Sequence, residues 1–275
     1  MTLNATSPAH RTLGFGLLAF WAFSACSGDL WENALGMRFV YIRAGSFTMG
    51  TSDPEEARME IPTPGSTGID DETPAHRVDL TRGFWMGETE VTQAQWLRVM
   101  QSRPGPTDFW EREDWVQLPV TGVSWRMARQ FTEELGKLDP AYGYRLPTEA
   151  QWEYAARAGS HGLRPMELID LDEYAWYIEN SEDRPHPVAT LEPNGFGLYD
   201  TLGNVWEWTA DWYAPHSYTE GARSDPEGPA SGRSKVRRGG SYHCPAHLVR
   251  PGYRAADSPD TRYSVLGFRL VVEPR

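Results

Sequence analysis

Arg238-Gly239-Gly240-Ser241-Tyr242-His243-Cys244 carries one of the two cysteines of the chain, the other being Cys26. A thiol acts as nucleophile or metal ligand only as the thiolate, so its neighbours decide what it can do. Two imidazoles, His243 and His247, lie within four residues of Cys244. Gly239 and Gly240 lack a Cβ and let the backbone approach a ligand closely. The same residue type also serves as a small buried apolar side chain, and then does no chemistry.

The elements that must position these groups are short and well punctuated. Thr92-Gln93-Ala94-Gln95 and Thr148-Glu149-Ala150-Gln151 have the capping-box spacing, which predicts helices to about Met100 and Ala158, the second stopping at Gly159. Ser124 opens another helix, with Trp125, Ala128, Phe131 and Leu135 on one face and Gly136 as its stop. Phe39-Val40-Tyr41-Ile42 and Phe47-Thr48-Met49 flank Arg43-Ala44-Gly45-Ser46 and read as a hairpin. Thr51 to Thr73, acidic and rich in Pro and Gly, reads as a long surface loop. Val236 to Gly240 and Gly267 to Val272 read as strands. With 12 tryptophans, 26 glycines and 21 prolines in 275 residues, the expectation is a single α+β domain, packed on aromatic rings and low in regular structure.

Residues 1–26 read as a signal peptide, because Arg11 precedes an apolar run from Leu13 to Ala25 that is too short to span a bilayer comfortably. Phe23-Ser24-Ala25-Cys26 resembles the lipobox of bacterial lipoproteins, with Phe23 where leucine is usual. Cys26 would then carry lipid, and the protein would be exported to the periplasm or cell envelope. An ordinary secretory leader or a retained anchor would export it equally. Residues 27–35 are expected to be a linker and 36–273 the domain. With Cys26 lipidated, Cys244 has no disulfide partner within the chain. The formal charge of −12 opposes binding to nucleic acid or to anionic membranes, leaving a lipid anchor as the membrane contact.

Further segments, taken together, resemble the family of formylglycine-generating enzymes, or sulfatase-modifying factors. They run in order: Gly36-Met37-Arg38-Phe39-Val40 leading to Gly45-Ser46-Phe47-Thr48-Met49-Gly50; Glu88-Thr89-Glu90-Val91-Thr92; Pro119 to Trp125; Tyr144 to Ala155; Asn194 to Asp200; Gly203-Asn204-Val205-Trp206-Glu207-Trp208; Arg238-Gly239-Gly240-Ser241; and Leu266-Gly267-Phe268-Arg269. The resemblance implies one domain of duplicated C-type-lectin-like topology, acting as a monomer on a peptide, protein or small-molecule substrate.

In members with the founding activity, two cysteines five positions apart bind Cu(I) and use dioxygen to oxidise a sulfatase cysteine to formylglycine. Cys244 matches the first, and the second position is Val249. The resemblance places Ser241 and Cys244 in the catalytic cleft. His243 and His247 could join Cys244 in a copper or iron site with one sulfur and two nitrogens. It also implies a calcium site with the side chains of Asp200 and Glu207 and the carbonyls of Gly203 and Val205, oxygen ligands suited to a hard cation. Glu149 and Glu153, four apart in one helix, read as structural residues favouring the helix dipole. His76 reads as a packed, hydrogen-bonded residue. The His-x-x-x-His-x-Glu pattern of the ergothioneine-forming relatives is absent. Two functions follow. One is an exported oxidoreductase acting on a thiol or a small molecule, since relatives that tailor siderophore chromophores lack both copper cysteines. The other is a non-catalytic envelope lipoprotein binding a peptide or protein through the same cleft, as in the family's gliding-motility lipoproteins.

Overall fold

The computed structural model describes residues 1, 29–61 and 69–274. The leader, Cys26 and part of the Thr51–Thr73 segment therefore lie outside the described residues. Among the described residues no helix is long and apolar enough to cross a membrane.

In chain order the strands of the first half are β1 (Leu30–Glu32), β2 (Arg38–Ile42), β3 (Gly45–Met49), β4 (His76–Leu80), β5 (Phe84–Gly87) and β6 (Tyr142–Arg145). Those of the second half are β7 (Trp206–Trp212), β8 (Arg223–Ser224), β9 (Lys235–Arg238), β10 (Ala255–Asp257), β11 (Leu266–Gly267) and β12 (Val271–Pro274). The helices are α1 (Pro54–Met59), α2 (Gln93–Met100), α3 (Thr107–Glu111), α4 (Trp125–Leu138) and α5 (Glu149–Arg157). Among the described residues these form three small sheets, in the orders β1-β2-β5-β12-β6, β10-β9-β7-β11 and β3-β4-β8. The fold is mixed α and β with little helix, as expected.

Both capping boxes form. Thr92 accepts from the Gln95 N–H while Gln95 reaches back, and Thr148 and Gln151 do the same for α5. Ala158 and Gly159 then take positive φ and end α5. In α4 the expected stop at Gly136 is passed, and the helix runs to Leu138 because Leu135 and Gly136 are both buried against the core. Tertiary packing there outweighs the weak helix propensity of glycine, which is only about 1 kcal/mol below alanine.

Four other expectations are corrected. β2 and β3 are strands but do not form a hairpin: β2 pairs with β5, and β3 pairs with β4 in another sheet. The span 27–35 is not simply a linker, since Leu30–Glu32 pairs with β2 and Trp31 packs on Phe39. The Thr51–Thr73 loop contains α1, whose first N–H groups are capped by the Asp53 carboxylate. The strand expected over Gly267–Val272 is two short strands in different sheets, so that Phe268 and Arg269 turn inward between them.

The core gathers in two adjoining clusters. One stacks Trp96 on Phe131 at 5.4 Å with Phe268 edge-on to Phe131. The other surrounds Val78, Met86, Trp152 and Val271.

Candidate functional site

The Arg238–Cys244 segment leaves the end of β9 through two left-handed glycines, Gly239 at φ +97° and Gly240 at φ +80°. A side chain at Gly240 would meet Val249 Cγ2 at 3.0 Å, so the bend and the close approach both require glycine. The bend brings Ser241 to 1 % exposure, its Oγ 3.3 Å from Cys244 Sγ and accepting the His243 N–H. Cys244 N–H closes the turn on the Ser241 carbonyl at 2.9 Å, and the thiol is buried in the same apolar cluster as Val249. Ser241 and Cys244 are thus neighbours that face the core.

The two histidines part from Cys244. His243 is exposed and its Nδ1 lies 2.5 Å from the Asp183 carboxylate. His247 sits on a single 3-10 turn, Ala246–Leu248, where burial and the Arg250 charge lower its pKa. Among the described residues no three His, Cys, Asp or Glu side chains are placed to hold a metal ion. The one-sulfur, two-nitrogen set for copper or iron is therefore not assembled. Asp183 holds His243 at the surface while the Ser241 turn directs the thiol inward.

Asp200, Gly203, Val205 and Glu207 curl around another buried cluster. Gly203 has positive φ, and a Cβ there would run into the Trp176 carbonyl. Glu207 is saturated: Arg269 Nε and Nη2 donate to its oxygens at 2.7–2.9 Å, and Trp152 Nε1 donates at 2.7 Å. Asp200 accepts the Ala189 N–H at 2.8 Å; burial pushes its carboxyl up to about 6. Glu90, which sequence reasoning missed, faces the same cluster with both oxygens buried and, among the described residues, without hydrogen-bond partners. Burial, and then the Asp200 charge, raise its pKa well above the usual carboxylate range. Three carboxylates thus face one guanidinium. Glu207 is committed to Arg269, and these three carboxylates, like the other described residues, are not placed as a metal-holding group.

Glu149 and Glu153 are structural, but through buried ion pairs rather than the helix dipole. Arg254 clamps Glu149 with two bonds of 2.6 and 2.9 Å. Glu153 takes Arg157 Nε and the Gly50 N–H at 2.8 Å and contacts Arg238. Burial works against its charge, but Arg157 and Arg238 prevail and hold its pKa down. His76 is packed as expected, buried, with Nδ1 3.2 Å from the Pro74 carbonyl and its ring edge-on to Tyr218. Its ring also borders a cavity of about 380 Å³ that neither Ser241 nor Cys244 lines. No motif pointed to it, because Asp211, His216 and Tyr218 meet His76 there across more than 130 residues of chain.

The sulfatase-modifying factor enzyme 1-like domain matches residues 32–274. A formylglycine-generating enzyme of Streptomyces coelicolor is 31 % identical over 271 residues, covering 73 % of this chain and 81 % of that one. Among solved structures, Treponema denticola variable protein 1 superposes with TM-score 0.72 at 31 % identity, over 90 % of this chain and 99 % of that one. PvdO from Pseudomonas aeruginosa gives TM-score 0.73 at 26 % identity, over 90 % and 98 %. The chain belongs to the family of sulfatase-modifying factor enzyme 1-like domains.

Proposed function

We propose that this protein is a binding member of its family that has given up copper-dependent thiol oxidation and engages a peptide or protein partner on the face above Ser241 and Cys244. The observation that carries the reading is Val249. It is fully buried beside Cys244 in one apolar cluster, at the position where catalytic relatives have the second thiol. One thiolate without that partner lacks the soft two-sulfur donor set that selects Cu(I). The alternative, an oxidoreductase acting on a thiol or small molecule, requires Cys244 to work from a buried position with Ser241 as its polar neighbour.

With Cu(I), dioxygen and a cysteine-containing sulfatase peptide, the wild-type protein is expected to form no aldehyde. Val249→Cys is expected to gain stoichiometric Cu(I) binding that Cys244→Ser in the same background removes. Aldehyde formation by the wild type would sink the binding reading.

The reading includes export as a lipid-anchored monomer of the envelope and calcium at Asp200, Gly203, Val205 and Glu207. Support for calcium comes from the surplus of buried carboxylate around Arg269. EGTA is then expected to lower the thermal unfolding midpoint by several degrees, since an ion bound to the native state alone stabilises it by mass action. An unchanged midpoint would count against the ion.

A further inference from the structure

We propose that the 380 Å³ cavity beside His76 is a second binding site, separate from the Cys244 face, and that it takes a small organic cation, an ammonium group on an apolar body. Met49, Ala214 and Pro229 contribute apolar wall, and the volume lies in the range of small-molecule sites. Its buried polar groups are Asp211, His76, Tyr218 and the clamped Glu149, while His216, Thr219 and Arg223 are exposed and Ser217 accepts from Arg254. The Asp211 carboxylate is 3 % exposed and gives one oxygen, Oδ2, to the Glu149 N–H at 2.7 Å. Its other oxygen, Oδ1, lies against Gly228, which also borders the cavity. His76 donates from Nδ1 to the Pro74 carbonyl, so in the neutral ring Nε2 is an acceptor. Tyr218 is buried and its hydroxyl has no hydrogen-bond partner among the described residues. Two acceptors and one hydroxyl match a ligand that brings donors.

Among the charges around it, the exposed Arg223 opposes a cation and the buried Asp211 favours one. Glu149, which also borders the cavity, is neutralised by Arg254, and Lys235 donates to the Ala210 carbonyl from between the rings of Trp125 and Trp212. Arg223 stands exposed at the mouth, with its Nη2 on Thr219 Oγ1 at 2.6 Å. Asp211 is the carboxylate that no guanidinium clamps. Burial, and then the charge of Glu149, push it up to about 7, with Lys235 and Arg254 opposing. A cation in the cavity stabilises its ionised form. Amine affinity should therefore rise between pH 6 and pH 8, and protonation of His76 on the acid side acts in the same direction.

The probe is phenethylammonium, titrated calorimetrically into the full chain, with 3-phenylpropionate as the anionic counterpart and an N-acetylated, C-amidated Gly-Lys-Gly tripeptide, whose one ammonium is the lysine side chain, to separate a free amine from a lysine side chain. Saturable binding of phenethylammonium is expected, weakened about tenfold or more by Asp211→Asn, with no binding of the propionate. Binding of the tripeptide as tight as that of the amine identifies a lysine side chain as the natural occupant, and weaker binding identifies a free amine; both support the site. Because Asp211 also caps α5, Ala214→Trp, which fills the cavity from its half-exposed wall, is a second variant and should abolish binding. Equal affinity in both variants, equal binding of the propionate, or no binding of the amine would overturn the proposal.

Discussion

Replacing Arg238 with methionine is expected to lower the unfolding midpoint by on the order of 10 °C, the cost of breaking a buried ion pair being about 3–5 kcal/mol. Arg238 is fully buried. Its guanidinium contacts Glu153 and donates to the carbonyls of Pro251 at 2.6 Å and Tyr253 at 2.7 Å. Methionine fills much of the volume but leaves two carbonyls unmet and Glu153 with the Arg157 guanidinium and the Gly50 N–H, and neither loss can be made good by water at that depth. Since a domain is stable by only about 5–15 kcal/mol, this is a large fraction of the total. Arg238→Lys should fall between, keeping the charge but not the fork. Arg237→Ala is the control on the same strand. It removes a pair with Asp257 whose side chains are each 18 % exposed and a cation–π contact with Trp206, and should cost less, about 1–2 kcal/mol. The pH dependence has a definite sign. Glu153 is held below its ordinary pKa in the folded state, so it stabilises above the ordinary carboxylate range and that stability is lost as the pH falls through the folded value. Without Arg238 the depression shrinks, and stability should fall less steeply on acidification. Equal losses in the Arg238→Met and Arg237→Ala variants would show that the buried network contributes nothing special.

What the sequence revealed was local, and what it hid was long-range. The capping boxes at Thr92 and Thr148 could be read because donor and acceptor lie within one turn. The motif order from Gly36 to Arg269 could be read because it is linear. By contrast, Glu149 and Glu153 find Arg254 and Arg238 at separations of 105 and 85 residues, and no periodicity encodes such a pairing. One signal was available: two carboxylates four apart in α5 beside Ala150, Trp152 and Ala155 lie on an inward face, where charges must find partners. The hairpin failed for a similar reason. Phe39–Ile42 and Phe47–Met49 have the residue types of strands, but pairing is decided by β4 and β5, which arrive later in the chain. At the site, adjacency in sequence was misleading. His243 and Cys244 are consecutive, yet one pairs with Asp183 at the surface and the other packs with Val249.

Removing the cation from the second buried cluster should be equally severe and should separate the sources of its neutralisation. Arg269→Met leaves Glu90, Asp200 and Glu207 without a guanidinium, and a cost of about 3–5 kcal/mol or more is expected. Glu90→Gln should act in the opposite direction in EGTA, raising the midpoint on the alkaline side, because it removes a carboxyl whose ionised form is buried with no hydrogen-bond partner among the described residues and leaves the Arg269 clamp on Glu207 intact. The sign follows from linkage. Asp200 and Glu90 have pKa values raised by burial, so the folded state binds their protons more tightly than the unfolded chain does. They favour folding below the ordinary carboxylate range, and that contribution is lost as the pH rises through the raised values, about 6 for Asp200. Glu90→Gln should flatten this loss on the alkaline side, and Arg269→Met should steepen it. Millimolar calcium distinguishes protons from an ion. If calcium is held by Asp200 and Glu207 with the Gly203 and Val205 carbonyls, it should recover part of the midpoint lost in Arg269→Met and diminish the gain from Glu90→Gln. If calcium moves neither midpoint, protons alone neutralise the cluster. A Glu90→Gln protein less stable than wild type at pH 8 would instead mean that Glu90 is held by a favourable interaction at that position.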